Sequence, residues 1–207
     1  QHISNMGVAR MSRTVRYSLV YLLIAAVCFA SASAMASTSL PKVVKLGWIG
    51  SLTGDQAVWG QCEFNTVKML AEEVNASGGL LGAQIEVIGY DTRGDALEAV
   101  NAVRRLTSQD KAICIIGPNA SGQAIPISSV LEEMKVPDIA TVATNPKVTL
   151  VDGKVKPFNF RVCFIDPYQG AVAAGYAFDV LGFRRAAVLY DVADDYSQGL
   201  TEFFIQT

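Results

Sequence analysis

An α/β fold built on a doubly wound parallel sheet is what this sequence predicts, and three observations carry the prediction. From Val43 onward, short apolar runs alternate with amphipathic segments. Such βαβαβαβ alternation demands parallel strands joined by helical crossovers. Ile113-Cys114-Ile115-Ile116 is apolar at successive positions, the mark of a strand covered on both faces. Gly117-Pro118-Asn119 then breaks the run just before a helix start at Ser121.

Residues 1–36 are of a different character. Arg10, Arg13 and Arg16 precede the apolar run Leu19 to Ala30, and Ser31-Ala32-Ser33-Ala34-Met35-Ala36 follows. This is the pattern of a secretory signal peptide cut after Ala36. The run is short for a membrane span, and Val27 before Cys28 does not suit lipid attachment. The chain begins at Gln1, with Met6 and Met11 as candidate starts.

The elements follow in order. Val43 to Gly50 reads as the first strand and Ser51 to Asp55 as a loop. A helix is predicted from about Val58 to Asn75, with Val67, Leu70, Ala71 and Val74 on one face. Gly78-Gly79 stops it, and because it follows a helix it is not a dinucleotide loop. Ile85 to Asp91 is the second strand. Asp95 opens a second helix with Leu97, Val100, Val103 and Leu106 inward. The third helix runs from Ser121, its expected N-cap, to Glu132-Glu133-Met134-Lys135. A fourth strand lies around Ile139 and another at Phe158 to Val162. A helix from Tyr168 to Leu181, a strand from Ala186 to Asp191 and a helix from Asp194 or Asp195 begin a new unit. The expected organisation is therefore a leader (1–36), an N-terminal ligand-binding lobe (37–164) and the start of an incomplete second lobe (165–207).

The third strand also points to a site. Free N–H groups and the helix dipole converge where it meets its helix, which suits a carboxylate or phosphate. Ile139-Ala140-Thr141-Val142-Ala143-Thr144 ends a neighbouring strand in a hydroxyl. Ligands of parallel sheets bind beyond the carboxyl ends of the strands. Ser121 and Thr144 thus face one crevice, unless Ser121 only caps its helix and Thr144 only serves the turn before Asn145-Pro146. Asp55, Asp191, Asp194 and Asp195 read first as solvated loop charges and helix-start acids, with a place lining the cleft as the lesser alternative.

Composition excludes other classes. Without residues 1–36, 171 residues remain with 14 basic and 19 acidic side chains, a net charge of −5. A nucleic-acid binder would show a basic stripe. The one histidine is His2, so the rest of the chain cannot supply Ser-His-Asp, Cys-His or His-metal chemistry. No enzyme activity, metal or cofactor is expected. Cys62, Cys114 and Cys163 form an odd set that allows at most one bridge, and Cys114 reads as a small apolar filler.

The sequence resembles the exported solute-binding proteins of branched-chain amino acid ABC transporters, the Leu/Ile/Val-binding type of the periplasmic-binding type 1 fold. The likeness runs from Val43 to the end of the chain. It is carried by Gly50-Ser51-Leu52-Thr53-Gly54, Glu73-Val74-Asn75-Ala76-Ser77-Gly78-Gly79-Leu80-Leu81-Gly82, Tyr90-Asp91 and Ile115-Ile116-Gly117-Pro118. Further on come Ala143-Thr144-Asn145-Pro146, Phe160-Arg161 and Asp194-Asp195-Tyr196-Ser197-Gln198-Gly199-Leu200.

The resemblance implies two lobes closing on a free amino acid or a related amide or small polar solute. It places Ser121 and Thr144 at the α-carboxylate, the Val142 carbonyl at the ammonium, and Trp59 and Tyr196 as aromatic walls. Ala120 and Ala143, beside these, join the ligand-binding set. Gly94 and Ala120 stand where some relatives bridge two cysteines. The implied protein is a periplasmic or extracytoplasmic monomer when full length, partnered by the membrane permease of an ABC transporter. A ligand-sensing ectodomain of a membrane receptor is the alternative that uses the same fold. With one wall of the cleft and part of the other, the 207 residues are expected to have negligible affinity, which micromolar binding by calorimetry would contradict. Residues 166–207 are expected to expose apolar surface.

Overall fold

The computed structural model describes residues 41–207; the signal-peptide reading lies outside them. Seven strands occur among the described residues: β1 (Val43–Gly50), β2 (Gln84–Asp91), β3 (Cys114–Ile116), β4 (Asp138–Ala140), β5 (Leu150–Val151), β6 (Lys154–Val155) and β7 (Asn159–Arg161). Five of them form one sheet in the order β2-β1-β3-β4-β7. Every pairing in it is parallel, as the alternating pattern predicts. β5 and β6 make a separate antiparallel pair that the sequence pattern does not announce.

The helices are α1 (Ala57–Ala76), α2 (Ala96–Ser108), α3 (Ser121–Met134), α4 (Asp166–Gly175) and α5 (Asp195–Gln206). They cover both faces of the sheet. Successive strand residues point to opposite faces, and β1 shows it. A Cβ on Gly47 would meet Leu106 of α2, whereas the next residue, Trp48, stacks on Phe64 of α1 with ring centroids 4.7 Å apart. On the α2/α3 face, Ile49, Val103, Leu106, Ile115, Ile127 and Leu131 are fully buried in one cluster. Each such side chain contributes about 1.5–3 kcal/mol by leaving water.

Several expectations need correction. β3 starts at Cys114, and Ile113 is 56% exposed even though its N–H donates to the Lys45 carbonyl of β1 at 3.0 Å. In α2 the inward stripe is Ala99, Ala102, Val103 and Leu106; Leu97, 68% exposed, lies off it. In α1 only Gly60 and Ala71 are fully buried, while Leu70 and Val74 are exposed. The fourth strand stops at Ala140 rather than running on toward Thr144. The predicted helix from Tyr168 to Leu181 begins earlier, at Asp166, and changes to a π-helix over Tyr176–Val180. Ala186 to Asp191 forms no strand. A strand needs a neighbour to bond with, and none of the described residues offers this segment one. Apolar surface is exposed between 166 and 207, including Tyr168, Phe178, Phe183 and Leu189.

Cys62, Cys114 and Cys163 are all free thiols. Burial, reinforced by the nearby Asp138, pushes the Cys114 thiol up to about 11. At pH 8 only about one such thiol in a thousand is ionised, and the thiolate is the reactive form. A brief iodoacetamide pulse on the native protein should therefore modify the exposed Cys62 and spare Cys114. Peptide mass mapping checks this; comparable labelling of both would contradict it.

Candidate functional site

The site is built where β3 and β4 end. Gly117 turns the chain at φ +89°, and a Cβ there would collide with the Ile49 carbonyl oxygen. Only glycine fits such a conformation and approach. Ala120, not Ser121, takes the N-cap position, in an extended conformation, and Ser121 is the first residue of α3. A helix start can proceed without a side-chain cap when its first carbonyl is in place, and Ala120 O accepts from the N–H groups of Gln123 and Ala124 at 3.1 and 2.9 Å. First-turn N–H groups such as those of Ser121 and Gly122 have no carbonyl to bond within the helix. The nearly buried Ser121 hydroxyl accepts from the N–H of Asn145 at 3.3 Å, so the ends of β3 and β4 are fastened together.

A cleft of about 270 Å³ opens over this junction, lined by Gln56, Trp59, Asn119, Ala120, Ser121, Val142, Asp194 and Tyr196. At about 30 Å³ per water it holds roughly nine waters, space for a small solute. Ser121, Ala120, Val142, Trp59 and Tyr196, five of the seven residues expected at a site, are thus brought together. Trp59, 64% exposed, and Tyr196 stand on α1 and α5 and bring two aromatic side chains to the cleft.

Ala143 and Thr144 lie behind the cleft instead of lining it. β4 has ended at Ala140, and a bend at Thr141-Val142 breaks the alternation that would have sent Thr144 the same way as Val142. Thr144 is 5% exposed. Its hydroxyl makes no formed hydrogen bond but lies toward Asp166. Burial raises the pKa of the Asp166 carboxyl; the Thr144 hydroxyl and Arg161 oppose that rise and Asp194 adds to it. The Ala143 carbonyl is taken by Arg161 Nη1 at 2.8 Å. Among the described residues no hydrogen bond engages the Val142 carbonyl, which leaves it free as an acceptor at the rim.

Gln56, Asn119 and Asp194 line the cleft without having been expected there. Asn119 obeys the same strand-end rule that gives Ser121. Gln56 lies one residue before the start of α1, on the same wall as Trp59. Asp194 is indeed a helix-start acid, its carboxylate accepting from Ser197 N–H at 2.9 Å, but it also reaches the cleft. Among the described residues no lysine, arginine or histidine lines the cleft, so an anionic group there would rely on backbone N–H donors. Among the described residues no cluster of three or more metal-ligating side chains occurs, and no helix is long and apolar enough to cross a membrane.

Fold and cleft together define a class: a parallel α/β lobe with a solute-sized cleft at the carboxyl edge of its sheet. A profile of the family described as periplasmic binding protein matches residues 43–206. The chain belongs to that family. It is 35% identical over 179 residues to an amino acid binding protein of Pseudomonas aeruginosa, covering 86% of this chain and 46% of the relative. Among solved structures it is similar to a leucine binding protein, LivK, of Thermotoga maritima, with TM-score 0.72, 39% identity and coverage of 79% of this chain and 45% of that one. A second is the branched-chain amino acid transporter substrate binding protein LivJ of Streptococcus pneumoniae in complex with isoleucine, with TM-score 0.73, 28% identity and coverage of 80% and 46%. The chain thus spans about half the length of the relatives it matches.

Proposed function

We propose that the protein is the extracytoplasmic solute-binding component of an ABC importer, which takes a free α-amino acid into this cleft and hands it to a membrane permease. The observation that carries the reading is the placement of the first turn of α3 and the free Val142 carbonyl around one cleft walled by Trp59 and Tyr196. A zwitterion needs donors for one end and acceptors for the other, since desolvating either end unpaired is costly. The N–H groups at Ser121 and Gly122, with the helix dipole, suit the carboxylate. The Val142 carbonyl suits the ammonium, and the aromatic walls the side chain. Thr144 supports the floor through its backbone, its carbonyl accepting from Asp166 N–H at 3.1 Å; Ala143 does the same through Arg161. The reading is one of binding without catalysis, consistent with relatives that are named as binding proteins.

Titrating α-amino acids into the ¹⁵N-labelled protein should move the backbone amide signals of Ser121 and Gly122. Ser121→Ala should weaken binding about tenfold, or 1.4 kcal/mol, and Ser121→Thr should restore part of it. Unmoved signals at both amides across a broad amino acid panel would refute the reading.

A further inference from the structure

We infer that the variable group of the amino acid held in this cleft is a neutral hydrogen-bonding group of the carboxamide kind, not a bare branched hydrocarbon. The inference rests on the amino-acid reading above and concerns the opposite end of the same guest. Three of the lining side chains, Trp59, Val142 and Tyr196, are largely apolar and suit an aliphatic stem. Gln56 and Asn119 are not apolar, and neither side chain makes a hydrogen bond among the described residues. Gln56 occupies the N-cap position of α1 but its side chain makes no capping hydrogen bond. The Asn119 Oδ1 atom is buried with no partner. Two carboxamides with unspent donors and acceptors therefore border one small cleft.

Water in the open cleft reaches the exposed Gln56 amide, while Asn119 Oδ1 is already buried and unpaired. Closing the cleft over a hydrocarbon would strip that water and leave the amides unpaired, which is penalised. Closing it over a carboxamide replaces water with a matched partner, because each amide carries both donors and an acceptor. A site that hydrogen-bonds a substrate group rejects analogues lacking it far more strongly than an apolar pocket rejects a wrong shape. Charged side chains fit less well. Among the described residues no cationic side chain lines the cleft to meet an acidic one. The single carboxylate, Asp194, already accepts from Ser197 N–H.

The test titrates glutamine, leucine, glutamate and lysine separately into the ¹⁵N-labelled protein and follows backbone and side-chain amide signals. Glutamine should bind at least about tenfold more tightly than leucine. It should shift the side-chain NH₂ signals of Gln56 and Asn119, which leucine should leave in place. Asn119→Leu, and independently Gln56→Leu, should narrow or reverse that preference while the Ser121 and Gly122 amides still respond. Leucine binding as tightly as glutamine, with those two backbone amides moving, would overturn this inference and leave the amino-acid reading standing. Preference for glutamate or lysine would likewise overturn it. No response at Ser121 and Gly122 to any of the four would count against the amino-acid reading itself.

Discussion

Gly60→Ala should destabilise the protein by about 3 kcal/mol or more. Gly60 is one of two fully buried residues of α1. A Cβ at this position would overlap the Ser51 carbonyl oxygen and lie 2.7 Å from its carbon. The obstacle is backbone, so no rotamer change can relieve it. The loop cannot easily retreat either, because Leu52 N–H and the Thr53 hydroxyl both bond the Asp91 carboxylate, at 2.8 and 2.6 Å. Either α1 tilts away from the sheet, which parts Phe64 from Trp48, or the end of β1 distorts. Both movements also displace Trp59 and Gln56, so the variant should lose ligand response along with stability. Urea denaturation of the two proteins measures the difference. A loss below about 1 kcal/mol would mean that the α1–β1 contact is softer than the close approach implies.

Asp138→Asn should do the reverse, and only where the acid would be charged. Asp138 opens β4, fully buried, with neither carboxylate oxygen hydrogen-bonded. It pairs in register with Ile115 on one side and Asn159 on the other, so it points to the core face. Burial raises its pKa well above the ordinary value, against a smaller opposing effect of the Ile139 N–H. The unfolded chain releases this proton at about pH 3.9, while the folded protein keeps it to higher pH. Between those two values the native state binds more protons, so stability falls as pH rises. An asparagine has no proton to lose. The variant should match the parent near pH 4 and exceed it by a margin that widens as the pH rises toward 8. Asp166, also raised by burial, adds a slope of the same sign to both proteins and drops out of the difference. Parallel stability curves for parent and variant from pH 4 to pH 8 would disprove the account.

Much of the fold is legible in the sequence because its signals are local. The strand runs, the Asp95 cap, whose carboxylate accepts from Glu98 N–H at 2.8 Å, and the glycine turns each follow from a few neighbouring residues. What escapes depends on distant partners. Leu97 sits on the predicted stripe of α2, yet the phase is set by how Ala99 and Ala102 approach the sheet. Ala186 to Asp191 has strand composition and no strand, since pairing is a property of two segments. The cleft divides in the same way. Ser121 follows from its strand end, and Trp59 and Tyr196 from the family likeness. Asn119 lies within reach of the same strand-end rule, whereas Gln56 carries no sequence mark of its own, and the significance of both comes from lining one cleft. Thr144 belongs in the cleft only if β4 runs on past Ala140; a bend two residues long reverses that conclusion.

Arg161 reaches from β7 to the Ala143 and Asn145 carbonyls and the Thr149 hydroxyl, at 2.8, 2.9 and 2.9 Å. One rigid, planar cation thereby pins the segment that carries Val142 before any solute arrives. The entropy of ordering that segment is then spent during folding and not during capture. On the solute-binding reading, differences in affinity between solutes should accordingly reflect the aromatic and amide walls, and changes in those walls should retune selectivity without altering how the constant end of the guest is gripped.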